Sequence, residues 1–248
     1  MSNVLKKYVR SIIKEAVVTG RKLDRYSTVI RRHVIRAIKD PEMREHFKEN
    51  GSAVFKLQDV PELDDIEYLR DVIISMEDSD HVHAYAAYEY DLDATPEQRR
   101  DSDLRITLEL PYDFPDQVLG QVNEELTDTI RHELEHSGQE TWELMDCMEK
   151  TPTEADIWKS LKNAAEYYMC PAEIKAHVAG FFKRAKARKE ALADVIDFEL
   201  YRIYETGKHA GFAEDELHDL MVEMRRQYHE YAKGRYPKAK GFGDEGAA

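Results

Sequence analysis

"PDQVLGQVNEELTDTIRHELEHSG", residues 115–138, carries the clearest structural signal in the chain. Leu119, Val122, Leu126, Ile130 and Leu134 recur at steps of three or four, the period of one helical face. Pro115 suits a first helical position, Asp116 adds an acidic group to the first turn, and Gly138 supplies a stop. The pattern predicts a helix with a buried stripe, and beside that stripe stands His132-Glu133-Leu134-Glu135-His136. Residues four apart on a helix lie one turn apart on the same face. His132 and His136 can therefore direct two imidazole nitrogens to one Zn2+, at about 2.0–2.1 Å each. In an H-E-x-x-H arrangement, Glu133 stands beside a metal-bound water rather than on the metal. The competing reading is a solvated face whose histidines and carboxylates carry no site. Glu135 is expected to face solvent or to pair with Arg131.

Upstream of this helix the chain reads as sheet. "SAVFKLQDV" (52–60), "YLRDVIISM" (68–76), "HVHAYAAYEYD" (81–91) and "DLRITLEL" (103–110) are rich in β-branched and aromatic residues. In the third, Val82, Ala84, Ala86 and Tyr88 share one face, and His81, His83, Tyr85 and Ala87 the other. "EDSD" (77–80) is expected to be a hairpin turn, and the charged stretch 92–102 a loop. His81 and His83 read as surface or packing residues rather than a second metal site.

Two helices are expected before the sheet. The first is 3–17, with Leu5, Ile12, Ile13 and Ala16 in an apolar stripe opposite basic residues. Docking on the domain's own core or on a partner chain accounts for that stripe better than a membrane surface. The second is 24–38, and Asp40-Pro41 then marks a break. From 154 to about 232 the pattern is nearly all helical, broken at Cys170-Pro171 and around Gly207–Gly211. The fold class expected is α+β: a small, mostly antiparallel sheet before the histidine-bearing helix, and a helical C-terminal half. The division expected is a helical segment 1–45, a main domain 46–232 and a disordered tail 233–248.

The 248 residues suit one or two domains, and 42% hydrophobic residues suffice for a core. A net charge of −14 argues against a general nucleic-acid binder, because phosphates would be repelled. No apolar run reaches the roughly 18 residues needed to span a bilayer, and Lys6, Lys7, Arg10 and Lys14 interrupt any signal-peptide core. Two cysteines, Cys147 and Cys170, do not make a disulfide framework. They read as buried thiols in a reducing, cytoplasmic setting.

A zinc site needs a third protein ligand. In "EYYMCPAEIKAHVAGFF" (166–182), Pro171 can start a helix with Glu173 and His177 one turn apart. Either can face a metal. Glu173 is preferred, since the small Ala176 allows this helix to pack closely.

"HELEH" followed by "PAEIKAHV" resembles the gluzincin metallopeptidases, in which a Glu on a later helix completes the H-E-x-x-H site. The fuller pattern, "HELEHSGQ" then "YYMCPAEIKAHV", is similar to small metallopeptidases encoded by tailed bacteriophages. The likeness covers about 104–182. It implies a zincin-like fold, Zn2+ held by His132, His136 and Glu173, and Glu133 as general base in peptide hydrolysis. The N-E-x-x-S-D form of thermolysin-like enzymes and the third histidine of the metzincins are both missing from this chain.

On that reading Glu133 accepts a proton from the metal-bound water as it attacks an amide. His177 and Tyr168 are the first candidates to stabilise the oxyanion, ahead of Tyr167, His209 and Tyr201. The strand 103–110 is placed to pair with an extended peptide or protein substrate. A phage origin would place the protein in the host cytoplasm or the virion, with a virion or host protein as partner. Two further readings fit the same residues. One is a non-catalytic structural or assembly protein that keeps the fold without turnover. The other is a helical interaction module.

Overall fold

In the computed structural model a single helix, α1, runs Asn3–Lys39. The two helices expected at 3–17 and 24–38 are thus one, continuous through Gly20. A glycine inside a helix costs about 1 kcal/mol, which is not enough to break one that packs well. Leu23, Tyr26, Ile30, Val34 and Ile38 are all buried on one stripe. The expected break at Asp40 is present. The Asp40 side chain accepts from the Glu42 N–H at 2.9 Å, Pro41 takes the first position of α2 (Pro41–Asn50), and Gly51, at φ 73°, closes it.

The structure describes residues 3–63, 65–66, 69–89, 102–137, 139, 144, 147, 151–152 and 154–242; for 3–19, 58, 89, 154 and 155 it describes the backbone alone. The loop expected at 92–102, Ser102 apart, the Gly138 stop and the last six residues lie outside these. By contacts the chain divides into two units, Met1–Gly138 and Gln139–Ala248.

In the first unit four strands, β1 (Ser52–Lys56), β2 (Asp71–Glu77), β3 (His83–Glu89) and β4 (Asp103–Glu109), form one sheet in the order β1-β2-β4-β3. β1 and β3 run antiparallel to their neighbours, whereas β2 and β4 are parallel, Ile74 opposite Ile106. The sheet is therefore mixed. "EDSD" is not a hairpin turn, because β4 lies between β2 and β3. Burial explains the order. Val72, Ile74 and Met76 on β2 and Leu104, Ile106 and Leu108 on β4 are at most 3% exposed. The two strands richest in large apolar side chains take the centre. β3 offers Ala84 and Ala86, β1 leaves Val54 58% exposed, and both lie at edges.

The predicted helix over 115–138 appears as α3, Val118–Ser137. It begins three residues later than the proline suggested, after a turn closed by the Val118 N–H to the Pro115 carbonyl at 3.0 Å. Leu119, Val122, Leu126, Ile130 and Leu134 are all buried, and they join the α1 stripe and the inner face of the sheet in one core. Arg131, 1% exposed, ties α3 to α1 by donating to Asp24 Oδ1 at 3.0 Å, and it pairs with Glu135 at 2.7 Å. Of the two roles expected for Glu135, the ion pair is the one observed.

The second unit is helical among its described residues: α4 (Leu161–Tyr168), α5 (Pro171–Arg188), α6 (Leu192–His209) and α7 (Glu214–Arg235). Breaks occur at Cys170-Pro171 and near Gly211 as expected, and at a third place that was not. Lys189 closes α5 in the left-handed region at φ 60° without a glycine or proline to announce it. The segment 236–242 is not frayed. Tyr236 stacks on Phe182 at 4.0 Å, the Lys240 carbonyl accepts from the Leu192 N–H at 2.9 Å, and Phe242 packs edge-on to His229. Three aromatic or backbone anchors hold a stretch whose sequence has no periodicity.

Cys147 and Cys170 form a disulfide within this unit, Cα–Cα 5.8 Å, rather than two separate thiols. Both are buried, as expected for the residues but not for their oxidation state. Among the described residues no helix is long and apolar enough to cross a membrane.

Candidate metal centre

α3 turns a polar stripe, Gln121, Glu125 and Glu133, toward the outer edge of β3, the three being spaced by multiples of four residues. Gln121 donates to the Val82 carbonyl at 3.1 Å, Glu125 accepts the Ala84 N–H at 2.7 Å, and Glu133 accepts the Tyr88 N–H at 2.9 Å. An edge strand has unpaired backbone groups, and this stripe covers several of them. The strand expected to receive a substrate, β4, is paired on both sides and has no edge to offer.

The Glu125 carboxyl shows how this edge is held. Burial works against its ionisation, but hydrogen bonds from His83, the Ala84 N–H and Gln121 together outweigh burial and hold it below the ordinary 4.5. A carboxyl lowered on folding stabilises above its unfolded value and loses that contribution as pH falls through the folded one. The unit should therefore weaken below about pH 4.5, and Glu125→Gln should flatten that acid limb. Urea midpoints measured from about pH 6 down to about pH 3 check it; parallel curves for the two proteins would refute the assignment.

His132 and His136 stand at the C-terminal end of α3, with their Nε2 atoms 3.1 Å apart and His136 only 8% exposed. Two nitrogens on one tetrahedral ion at about 2.0–2.1 Å lie roughly 3.3 Å apart, so the pair already has close to the spacing a shared ion requires. Glu173 sits in the first turn of α5, where Pro171 starts the helix and the Cys170 carbonyl accepts the Ile174 N–H at 2.9 Å. One ligand atom from each of His132, His136 and Glu173 falls within 4.8 Å of the others, the one such group among the described residues. His177, the alternative third ligand, is not in the group.

The other sequence-predicted residues have packing surroundings. His177 stacks on Phe181 at 5.7 Å and lies 6.2 Å from the Tyr228 ring, with Nε2 4.0 Å from Glu173 Oε2. Tyr168 packs on Trp158 and Tyr167. Tyr228, fully buried and missed by sequence reading, donates to the Tyr168 carbonyl at 3.0 Å. Burial first, then the nearby Glu173 carboxylate and Tyr168, push its hydroxyl well above the ordinary range, so it stays protonated. Its place within a long, mostly polar helix gave no sign of this neighbour. His209 bonds the Glu205 carbonyl on an exposed helix end, and Tyr201 is 59% exposed on α6. His83 pairs with Glu125 at 3.3 Å, in keeping with a packing role.

No known family model matches the chain, and no significant match exists among curated proteins or solved structures.

The expectation of a gluzincin metallopeptidase, with its likeness to phage peptidases and its hydrolase activity, is corrected by what converges. The donor group is His132, His136 and Glu173, assembled from two helices, and not the contiguous pentapeptide 132–136 acting as a catalytic unit. Within that pentapeptide Glu135 pairs with Arg131. Glu133, the expected base, has one oxygen on the Tyr88 N–H and the other 3.7 Å from His132 Nε2. Its carboxylate fastens α3 to the sheet edge. What stands is a cluster of two imidazoles and a carboxylate able to coordinate a metal ion.

Proposed function

We propose that this chain is a metal-binding structural or assembly protein in which a cation, best matched by Zn2+, cross-links distant stretches of the chain without turnover. The observation that carries the reading is the approach of His132, His136 and Glu173 to within 4.8 Å of one another. Two neutral imidazoles and one carboxylate suit a borderline divalent ion such as Zn2+, whereas magnesium and calcium prefer all-oxygen sites. The ion would join positions that the backbone leaves far apart in sequence, and binding energy of that kind adds to folding energy. A role without catalysis is supported by the pairing of β4 on both sides, which leaves the expected substrate strand without a free edge, and by the Glu125 and Glu133 carboxylates, which occupy amides on the neighbouring β3 edge.

Purified protein dialysed against micromolar Zn2+ is expected to hold about one ion per chain by mass spectrometry, and Glu173→Ala or His136→Ala to lose most of it. At free Zn2+ a hundredfold above its Kd the wild type should gain about 2.7 kcal/mol of stability, and Glu173→Ala should gain far less. The loaded protein should cleave no polypeptide offered to it. Absence of bound metal in the wild type would overturn the reading, and so would a cleavage activity that Glu133→Gln abolishes with the metal retained.

A further inference from the structure

We propose that the Cys147–Cys170 disulfide is a redox-modification site that sets the metal affinity of Glu173. The proposal rests on the reading of Glu173 as a ligand. Three observations within the second unit carry it. Cys170 is the capping residue of α5, in extended conformation, with no side-chain hydrogen bond to the helix end. Pro171 follows at the first helical position and Glu173 lies in the same first turn. The cross-link therefore anchors the backbone three residues before the carboxylate.

The rest of that turn is held closely. Ala172 is 1% exposed, and its carbonyl accepts from Gln139 Nε2 at 2.9 Å. With the disulfide formed, the start of α5 is fastened both through Cys170 and through Ala172. With it open, a helix start that lacks a side-chain cap keeps the Gln139 contact and loses its covalent tie. A ligand that must be ordered before it binds costs affinity, so the reduced chain should hold metal more weakly.

The chemistry balances with a low-molecular-weight disulfide such as glutathione disulfide. The two cysteine S–H bonds break and one S–S bond forms. The reagent's own S–S bond breaks, and it takes up the two electrons and two protons to leave as two thiols. The 5.8 Å Cα–Cα separation lies within the range that a disulfide spans.

The test uses the full chain in both oxidation states, with phosphine as reductant and the state confirmed by thiol labelling. Zn2+ affinity is read by competition with a chromophoric chelator. The oxidised chain is expected to bind about tenfold more tightly. By reciprocity, saturating Zn2+ should shift the disulfide–dithiol equilibrium in a glutathione buffer toward the disulfide by the same factor. Cys147→Ser should bind Zn2+ with an affinity that phosphine no longer changes. Equal affinities in the two states of a folded chain would overturn the proposal. Failure of both states to bind Zn2+ would instead remove the metal reading itself. If circular dichroism shows the reduced chain unfolded, Cys147→Val/Cys170→Val provides the folded dithiol-free comparison. Affinity in that variant equal to the oxidised wild type overturns the proposal as well.

Discussion

Arg131→Ala should cost the first unit about 3–5 kcal/mol, read as a fall in the urea midpoint at unchanged slope. Arg131 is 1% exposed, and its guanidinium faces two carboxylates, Asp24 at 3.0 Å from α1 and Glu135 at 2.7 Å from its own helix. Removing it strands both in a poorly solvated space and leaves a void where a long side chain had been. The side chains of Asp24 and Glu135 are 21% and 14% exposed, so water can relieve part of the cost, which places the value toward the lower end. A second substitution separates charge from volume. Arg131→Met fills the space but leaves the carboxylates unpaired, and should recover little. Asp24→Leu/Arg131→Met/Glu135→Leu removes the whole group and should return close to wild-type stability, since apolar replacement of a buried ion cluster is often neutral or better. A small loss in Arg131→Ala would mean that α1 and α3 are joined by their apolar stripe alone.

Cys147→Ser is expected to lower the stability of the second unit by about 3 kcal/mol, the entropy of a loop of this length freed in the unfolded chain. The cross-linked positions are 23 residues apart, and the unit they close is built from four helices around one apolar cluster. That cluster includes Val178, Ile196, Met224 and Tyr228, all fully buried. Such a core folds without a covalent tie, so the variant should keep its helical content and lose only thermal and urea resistance. Reduction of the wild type should reproduce the loss, and a phosphine-treated Cys147→Ser should show no further one. A loss confined to reduction and absent in the serine variant would assign the effect to the reagent.

How much of this was legible beforehand differs from element to element. The α3 stripe from Leu119 to Leu134 was, because a helical period is a local property and an amphipathic helix needs only one side to bury. The alternation in β3 was readable for the same reason, Ala84 and Tyr88 being buried as their spacing required. Sheet order was not. "EDSD" has the composition of a tight turn, and only the competition between β2 and β4 for the fully buried centre shows that it does not make one. The αL position at Lys189 left no trace either, since the usual marker is glycine. In the candidate site, the histidine pair could be seen from a spacing of four on one helix. Glu173 could be named but not distinguished from His177 by spacing alone. The hydrogen bond from the Tyr88 amide to the Glu133 carboxylate could not be read beforehand, because that amide lies on a strand far away in sequence.

From its amino acids alone this protein was already an α+β chain, with a sheet before a histidine-bearing helix and helices after it. Those features follow from residue-to-residue periodicity, which the chain expresses within a turn or a strand. Three matters were decided only in three dimensions: which strand is left at the edge, whether two cysteines meet, and which backbone amide the Glu133 carboxylate accepts from. Each depends on groups that are distant in sequence competing for the same neighbours, and burial and electrostatics choose the winner only once the chain has folded around them.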